Sequence, residues 1–195
     1  MSCKRRVAVH LIIDVDYRIS ASSDIDTEGH SPEPKEYAVV AGIVFADWQS
    51  DHRIATHTVT VEKVAPYQPG QFYKRELPCL LALIETVTPR PTTIVIDGYV
   101  TLGQTQRDGL GAYLYRTLGE CIPVIGIAKN RFADTPEACE VYRGQSQKPV
   151  YVTCMGMTLE EAKECVQTMH GQYRFPTLAK AVDSECRQAS PTDTP

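Results

Sequence analysis

VAVHLIIDVD, residues 7–16, is the stretch that decides the fold class of this chain. It is rich in β-branched and other apolar residues, which predicts a buried strand. Two further strands are predicted at 37–46 (YAVVAGIVFA) and at 53–61 (RIATHTVTV). The segment 20–34 between the first two is polar and acidic, and we expect a mobile hairpin loop there. Three strands in a row predict antiparallel pairing at the start of the fold.

The rest of the chain alternates helices and strands. A helix is predicted over 71–87, where five apolar residues recur at helical spacing and where Pro78 should kink the helix or confine it to the part after Leu77. Strands are predicted at 92–96, 123–128 and 150–154, and further helices at 107–119, from Thr158 onward and at 175–186. This order predicts an α/β protein with a mixed sheet flanked by helices. We expect one domain over residues 1–187 and a flexible tail over 188–195.

Composition and charge describe an ordinary soluble globule. The 195 residues are 43% hydrophobic and 23% charged, and the formal net charge of −4 argues against tight non-specific binding of nucleic acid. None of the seven cysteines forms a CxxC pair, which favours reduced thiols in a cytoplasmic protein. The apolar run behind the basic start is too short for a membrane span, so no membrane partner is expected. The oligomeric state is left open.

Carboxylates at the ends of predicted strands are the candidate functional residues. Asp14 and Asp97 each end an apolar stretch, and in open α/β sheets the ligand crevice lies outside the carboxyl ends of the strands. Glu76 follows a PYQPG break near the start of a helix. Such carboxylates suit Mg²⁺ or Mn²⁺, although an aspartate at a strand end is often only a turn former. Asp16 is either a fourth ligand or a solvated charge.

Five segments resemble motifs of the endonuclease V family, and they occur in the family's order over most of residues 7–187. They are IDVDY (13–17), PYQPG (66–70) followed by Phe72 and Arg75-Glu76, IVIDG (94–98), IGIAK (125–129), and KPVYVT (148–153) with the helix at 158–170. The resemblance implies a ribonuclease H-like fold. It also implies metal-dependent phosphodiester cleavage beside inosine or other deaminated purines in DNA or RNA.

The resemblance also implies roles for individual residues. Asp14, Glu76 and Asp97 match the family's metal carboxylates, which would hold Mg²⁺ or Mn²⁺. Lys129 matches a catalytic lysine near the scissile phosphate, and Tyr67 matches an aromatic wedge that fills the space of a displaced base. Taken alone, Lys129 would be a surface lysine and Tyr67 a packed turn tyrosine.

Three departures from the family pattern concern the substrate. Val100 stands where the family has a second glycine after Asp97-Gly98, a position at which close backbone approach admits the base. A G-H-R segment is reduced to Met155-Gly156-Met157. Lys180 aligns with a metal-adjacent aspartate or histidine, so it either contacts phosphate or is an exposed helix lysine.

Three functions therefore compete. The first is a metal-dependent endonuclease that nicks inosine-containing DNA or RNA, and the second is a nuclease of the same fold with changed specificity. The third is a non-catalytic nucleic-acid-binding or protein-binding relative. Retention of all three carboxylates argues against the third, because crowded carboxylates without a cation repel one another.

Overall fold

A seven-stranded mixed sheet forms the centre of the computed structural model, which describes residues 8–20 and 35–189. Its strands are β1 (His10–Ile19), β2 (Glu36–Phe45), β3 (Ala55–Val61), β4 (Thr93–Asp97), β7 (Val124–Ala128), β8 (Glu140–Val141) and β9 (Val150–Met155). The spatial order is β3-β2-β1-β4-β7-β9-β8. The predicted hairpin loop at 20–34 lies almost wholly outside the described residues.

The pairing follows the predicted plan. Strands β1, β2 and β3 pair antiparallel, β4 and β7 continue the sheet parallel to β1, and β9 returns antiparallel to β7. The expected α/β class with a mixed sheet is confirmed. A small hairpin of β5 (Thr101–Leu102) and β6 (Arg107–Asp108) was not predicted, since two-residue strands give no periodic signal.

Two helices pack on each face of the sheet. Helices α1 (Tyr73–Ile84) and α2 (Leu110–Thr117) cover one core cluster, which includes Leu80, Leu83 and Leu114. Helices α3 (Leu159–Thr168) and α4 (Thr177–Gln188) cover the other, which includes Val166 and Val182. Within the part of the chain that the structure describes, none of the helices is both long and apolar enough to cross a membrane.

The start of one helix was predicted correctly, whereas the bounds of two others differ from the prediction. Helix α3 begins with the expected capping box, in which Thr158 and Glu161 satisfy each other's backbone N–H groups. Helix α1 begins at Tyr73 and contains Pro78, so confinement of the helix to the part after Leu77 was wrong. Pro78 is exposed, which leaves its ring on the solvent side of the helix. Helix α4 extends to Gln188, which had been assigned to the tail.

Candidate active site

Asp14 and Asp97 lie side by side where the parallel pairing of β1 and β4 ends. The last paired residues are Ile13 and Ile96, and each aspartate is the next residue along its strand. Asp97 ends β4, as predicted, but β1 continues past Asp14 to Ile19 because this part pairs with β2 instead. The crevice therefore opens where β1 extends beyond its parallel neighbour.

Glu76 reaches the same crevice from the first turn of α1. Its neighbour Arg75 is buried and anchors this turn, since its guanidinium lies 3.9 Å from the centroid of the Tyr17 ring and pairs with Glu36. Arg75 thereby fixes the start of α1 against β1 and β2, and Glu76 lines a cleft together with Asp97.

Asp14 and Glu76 lie near enough to other carboxylates for those charges to raise their pKa. Burial, followed by the charge of Asp97, raises the pKa of Asp14 to about 7. Burial, followed by the charges of Asp14 and Asp97, raises the pKa of Glu76 to about 8. Both side chains are therefore costly to ionise in the absence of a cation.

Lys129 supplies a positive charge at this crevice. It follows the last residue of β7, and its Nζ donates to Oδ2 of Asp97 at 3.2 Å. Burial would lower the pKa of Lys129, but the negative charges of Asp97, Asp14 and Asp183 outweigh it and the pKa is raised. The ammonium is thus held as a fixed positive charge beside Asp97.

Helix α4 contributes an aspartate that the sequence analysis missed. Asp183 raises the pKa of Asp14 through its charge, and it pairs with Arg187 at 3.0 Å. Lys180, which had been aligned near the metal, is exposed and lies over the ring of Tyr173. The signal that could have found Asp183 is its spacing: Leu178, Val182 and Cys186 form the buried stripe of α4, and Asp183 adjoins it.

A cleft of about 340 Å³ adjoins Glu76 and Asp97 and is lined by several aromatic and apolar side chains. Gly98 lines it with a φ of +120°, and no heavy atom would lie within 4 Å of an added Cβ. The glycine is therefore required by its backbone conformation rather than by a close approach. Tyr67 is 62% exposed and touches the cleft residue Phe72 edge to face.

Val100 does not narrow this cleft. Its side chain is fully buried and packs into the core, where an added Cβ at Gly111 or Gly126 would collide with it or with its backbone. Its N–H donates to Oγ1 of Thr153 at 2.8 Å. The side chain that replaces the family's second glycine is therefore packed in the core and does not line the cleft.

Other charged residues that sequence reasoning placed near the substrate have structural partners. Asp16 pairs with Arg18 at 2.8 Å, and Arg18 in turn donates to the carbonyls of Cys186 and Ala189 at the end of α4. Arg143 is only 2% exposed. Asp16 therefore orients Arg18, and Arg143 cannot meet a ligand at the surface.

The carboxylate oxygens of Asp14, Glu76 and Asp97 are the kind of ligand that a hard divalent cation prefers. The pKa of Asp14 and that of Glu76 are both raised by burial and by the charge of Asp97, so a positive charge beside them would stabilise their ionised forms. Over residues 8–20 and 35–189, however, no three His, Cys, Asp or Glu side chains converge closely enough to hold an ion in this conformation. Asp97 is instead turned to Lys129.

Comparison with known proteins gives the family directly. The family model for endonuclease V matches residues 2–147. An endonuclease V of Streptomyces avermitilis is 32% identical over 172 residues, covering 77% of this chain and 73% of that protein.

Solved structures give the same fold. The crystal structure of a Streptomyces avermitilis endonuclease V matches with a TM-score of 0.72 and 27% identity, covering 93% of this chain and 81% of that one. A Ciona intestinalis endonuclease V, solved in complex with DNA containing an inosine, matches with a TM-score of 0.69 and 18% identity over 95% of this chain and 86% of that one. With its family model, relatives and fold in agreement, the chain belongs to the endonuclease V family and is a nuclease.

Proposed function

We propose that this nuclease is a divalent-metal-dependent endonuclease of ribonuclease H-like fold that cleaves a phosphodiester bond near inosine or other deaminated purines in DNA or RNA. The observation that carries the proposal is the placement of three carboxylates at one crevice: Asp14 and Asp97 are adjacent on β1 and β4, and Glu76 lines a cleft together with Asp97. A protein without use for a cation gains nothing from keeping three acids whose charges oppose one another. The family membership supports hydrolysis as the reaction.

In this proposal Asp14, Glu76 and Asp97 would hold Mg²⁺ or Mn²⁺. A bound cation would supply Lewis-acid charge at the phosphate and favour deprotonation of the attacking water. Lys129, whose Nζ donates to Asp97 in this structure, would contact a phosphate oxygen as a point charge. Asp183 adds negative charge to the same crevice from α4.

The cleft beside Glu76 and Asp97 is proposed to receive the deaminated base. Its aromatic and apolar walls offer stacking surface, and Gly98 leaves its floor open. Tyr67 stands exposed at the neighbouring loop and would fill the space that the displaced base leaves. The Ciona intestinalis relative bound to inosine-containing DNA supports inosine as the first base to test.

A cleavage assay on matched strands tests this function. DNA and RNA strands with one inosine, and the same strands without it, are incubated with the protein and Mn²⁺ or Mg²⁺. Wild type should cut only the inosine strands, Asp14→Ala should not cut, and Asp51→Ala, which changes an exposed turn aspartate, should cut like wild type. Equal cutting of unmodified strands would instead indicate a nuclease of changed specificity, and no cutting at all would contradict the proposal.

A further inference from the structure

A second and larger cleft lies beside the catalytic crevice, and the proposed function leaves it without a role. It has a volume of about 610 Å³ and runs between the loop at 144–146 and the segment at 172–175, with Lys180 on α4 at its side. Its lining residues are Gly144, Gln145, Ser146, Gln172, Tyr173, Arg174, Phe175 and Lys180. This lining contains cationic, amide and aromatic groups but no carboxylate.

The two arginines near this cleft hold its wall in place. Arg143 is buried and donates to the carbonyls of Met169, Gly171 and Tyr173. Arg174 donates to the carbonyl of Pro149 and to that of Lys129. The backbone that carries Tyr173 is therefore fixed from two sides, so a ligand would not have to order it.

Tyr173 and Lys180 present an aromatic ring and a cation together. The Nζ of Lys180 lies 4.2 Å from the ring centroid, yet Tyr173 remains 61% exposed. A large exposed aromatic residue beside an ammonium is a typical combination for a nucleic-acid strand, because bases stack on the ring and phosphate pairs with the cation.

The cleft adjoins the catalytic crevice at one shared residue. Phe175 lines both this cleft and the small cavity formed by Asp14, Asp97 and Lys129. The Nζ of Lys129 lies 5.6 Å from the centroid of Phe175. The cleft that contains Glu76 and Asp97 is also lined by Asp108, which pairs with Arg116, whereas the lining of the second cleft has no carboxylate. A strand that passes along Tyr173 and Lys180 therefore meets a cation and no carboxylate.

We propose that this second cleft binds the segment of the nucleic-acid strand that adjoins the scissile phosphate. One base stacks on Tyr173, a phosphate pairs with Lys180, and the amides of Gln145 and Gln172 contact the sugar-phosphate backbone. This proposal depends on the proposed function in one respect, which is that the substrate is a nucleic-acid strand. The cleft would recognise the sugar-phosphate backbone and accept any base, since stacking is tolerant of sequence.

Binding of unmodified single-stranded DNA tests this directly. The full chain is titrated against a fluorescein-labelled strand in EDTA, and anisotropy is followed at several salt concentrations. Tyr173→Ala should weaken binding roughly tenfold through lost stacking. Lys180→Gln should also weaken binding and reduce the slope of log K against log salt by about 0.7, the contribution of one phosphate contact on a single strand.

Two controls make the same chemical changes outside the cleft. Tyr142→Ala removes an exposed tyrosine that does not line it, and Lys163→Gln removes a charge on α3. Both should bind like wild type. A loss below twofold in either test variant, or equal losses in the controls, would overturn the proposal. Because the strand contains no inosine and is not cut, failure of inosine cleavage would leave this result unaffected.

Discussion

At Glu76, burial and two neighbouring carboxylates act in the same direction. Together they raise its pKa to about 8, while a glutamate in the unfolded chain titrates near its ordinary pKa of 4.5. Ionising Glu76 in the folded protein therefore costs free energy that the unfolded chain does not pay. A residue with such a cost in the first turn of a helix is more easily explained by a bound cation than by stability.

Glu76→Gln should stabilise the metal-free protein at alkaline pH. Below about pH 4 Glu76 is protonated in both states and costs nothing. As pH rises through about 8, the wild type loses stability and the variant does not. Thermal unfolding in EDTA should show the variant more stable at pH 9 by roughly 1–3 kcal/mol, with the difference fading toward pH 4. Glu85→Gln, at the exposed end of the same helix, is the control, and a Glu76→Gln variant less stable at pH 9 would contradict the account.

Lys129→Gln tests whether the ammonium beside Asp97 acts on phosphate. If it does, the cleavage rate at saturating substrate should fall roughly 10- to 100-fold, as expected for loss of one charge that stabilises the transition state. Single-turnover kinetics measure this, with Lys163→Gln as a charge-matched control. An unchanged cleavage rate in Lys129→Gln would show that Lys129 is an ordinary surface lysine without a role in catalysis.

Asp183 on α4 was not found by aligning motifs in the sequence. The motif alignment directed attention to Lys180, but the helix turns this side chain toward Tyr173 and brings Asp183 toward Asp14. Asp14 and Asp97 were easier to find, because each directly follows an apolar run, although β1 continues past Asp14 to Ile19. A residue on a distant amphipathic helix can be assigned only after its buried face is known.

At the level of secondary-structure elements, segments with clear hydrophobic periodicity were predicted correctly. The two-residue strands and the helix with an internal proline were not. The long strands and the capped helix α3 were predicted near their observed bounds. Helix α1 accommodates Pro78 because tertiary packing of Cys79, Leu80 and Leu83 outweighs the unfavourable proline. The direction of Val100 could not be read either, since it depends on the turn that follows β4.

The substitution Val100→Gly distinguishes a role of this side chain in core packing from a role in restricting access of the base to the cleft. The side chain fills the core beside Gly111 and Gly126, so its removal should lower the free energy of unfolding by roughly 2–4 kcal/mol. The KM for an inosine strand should not change, since Val100 does not line the cleft. Val152→Gly, in the other core cluster, controls for loss of stability alone. A lower KM in the Val100 variant would show that the valine restricts the base after all.

At the level of the whole molecule, the site depends on parts of the chain that are far apart in sequence. Strand β1 supplies Asp14, β4 supplies Asp97, and α4 packs across β1 and β2 near the end of the described chain. The thiol of Cys186 donates to the carbonyl of Asp14 at 3.0 Å, which ties this helix to the central strand. The order of elements predicted the sheet class, but only the packed structure shows that the last helix closes the crevice.

The central claim is that Asp14, Glu76 and Asp97 hold the divalent cation on which cleavage depends. The most direct measurement is the cleavage rate of an inosine strand as a function of Mn²⁺ concentration, for wild type and for Asp97→Asn. Wild type should be inactive in EDTA and saturate with Mn²⁺, and the variant should need at least about tenfold more Mn²⁺ or remain inactive. Wild-type cleavage that persists in EDTA, or an unchanged Mn²⁺ dependence in Asp97→Asn, would contradict the claim.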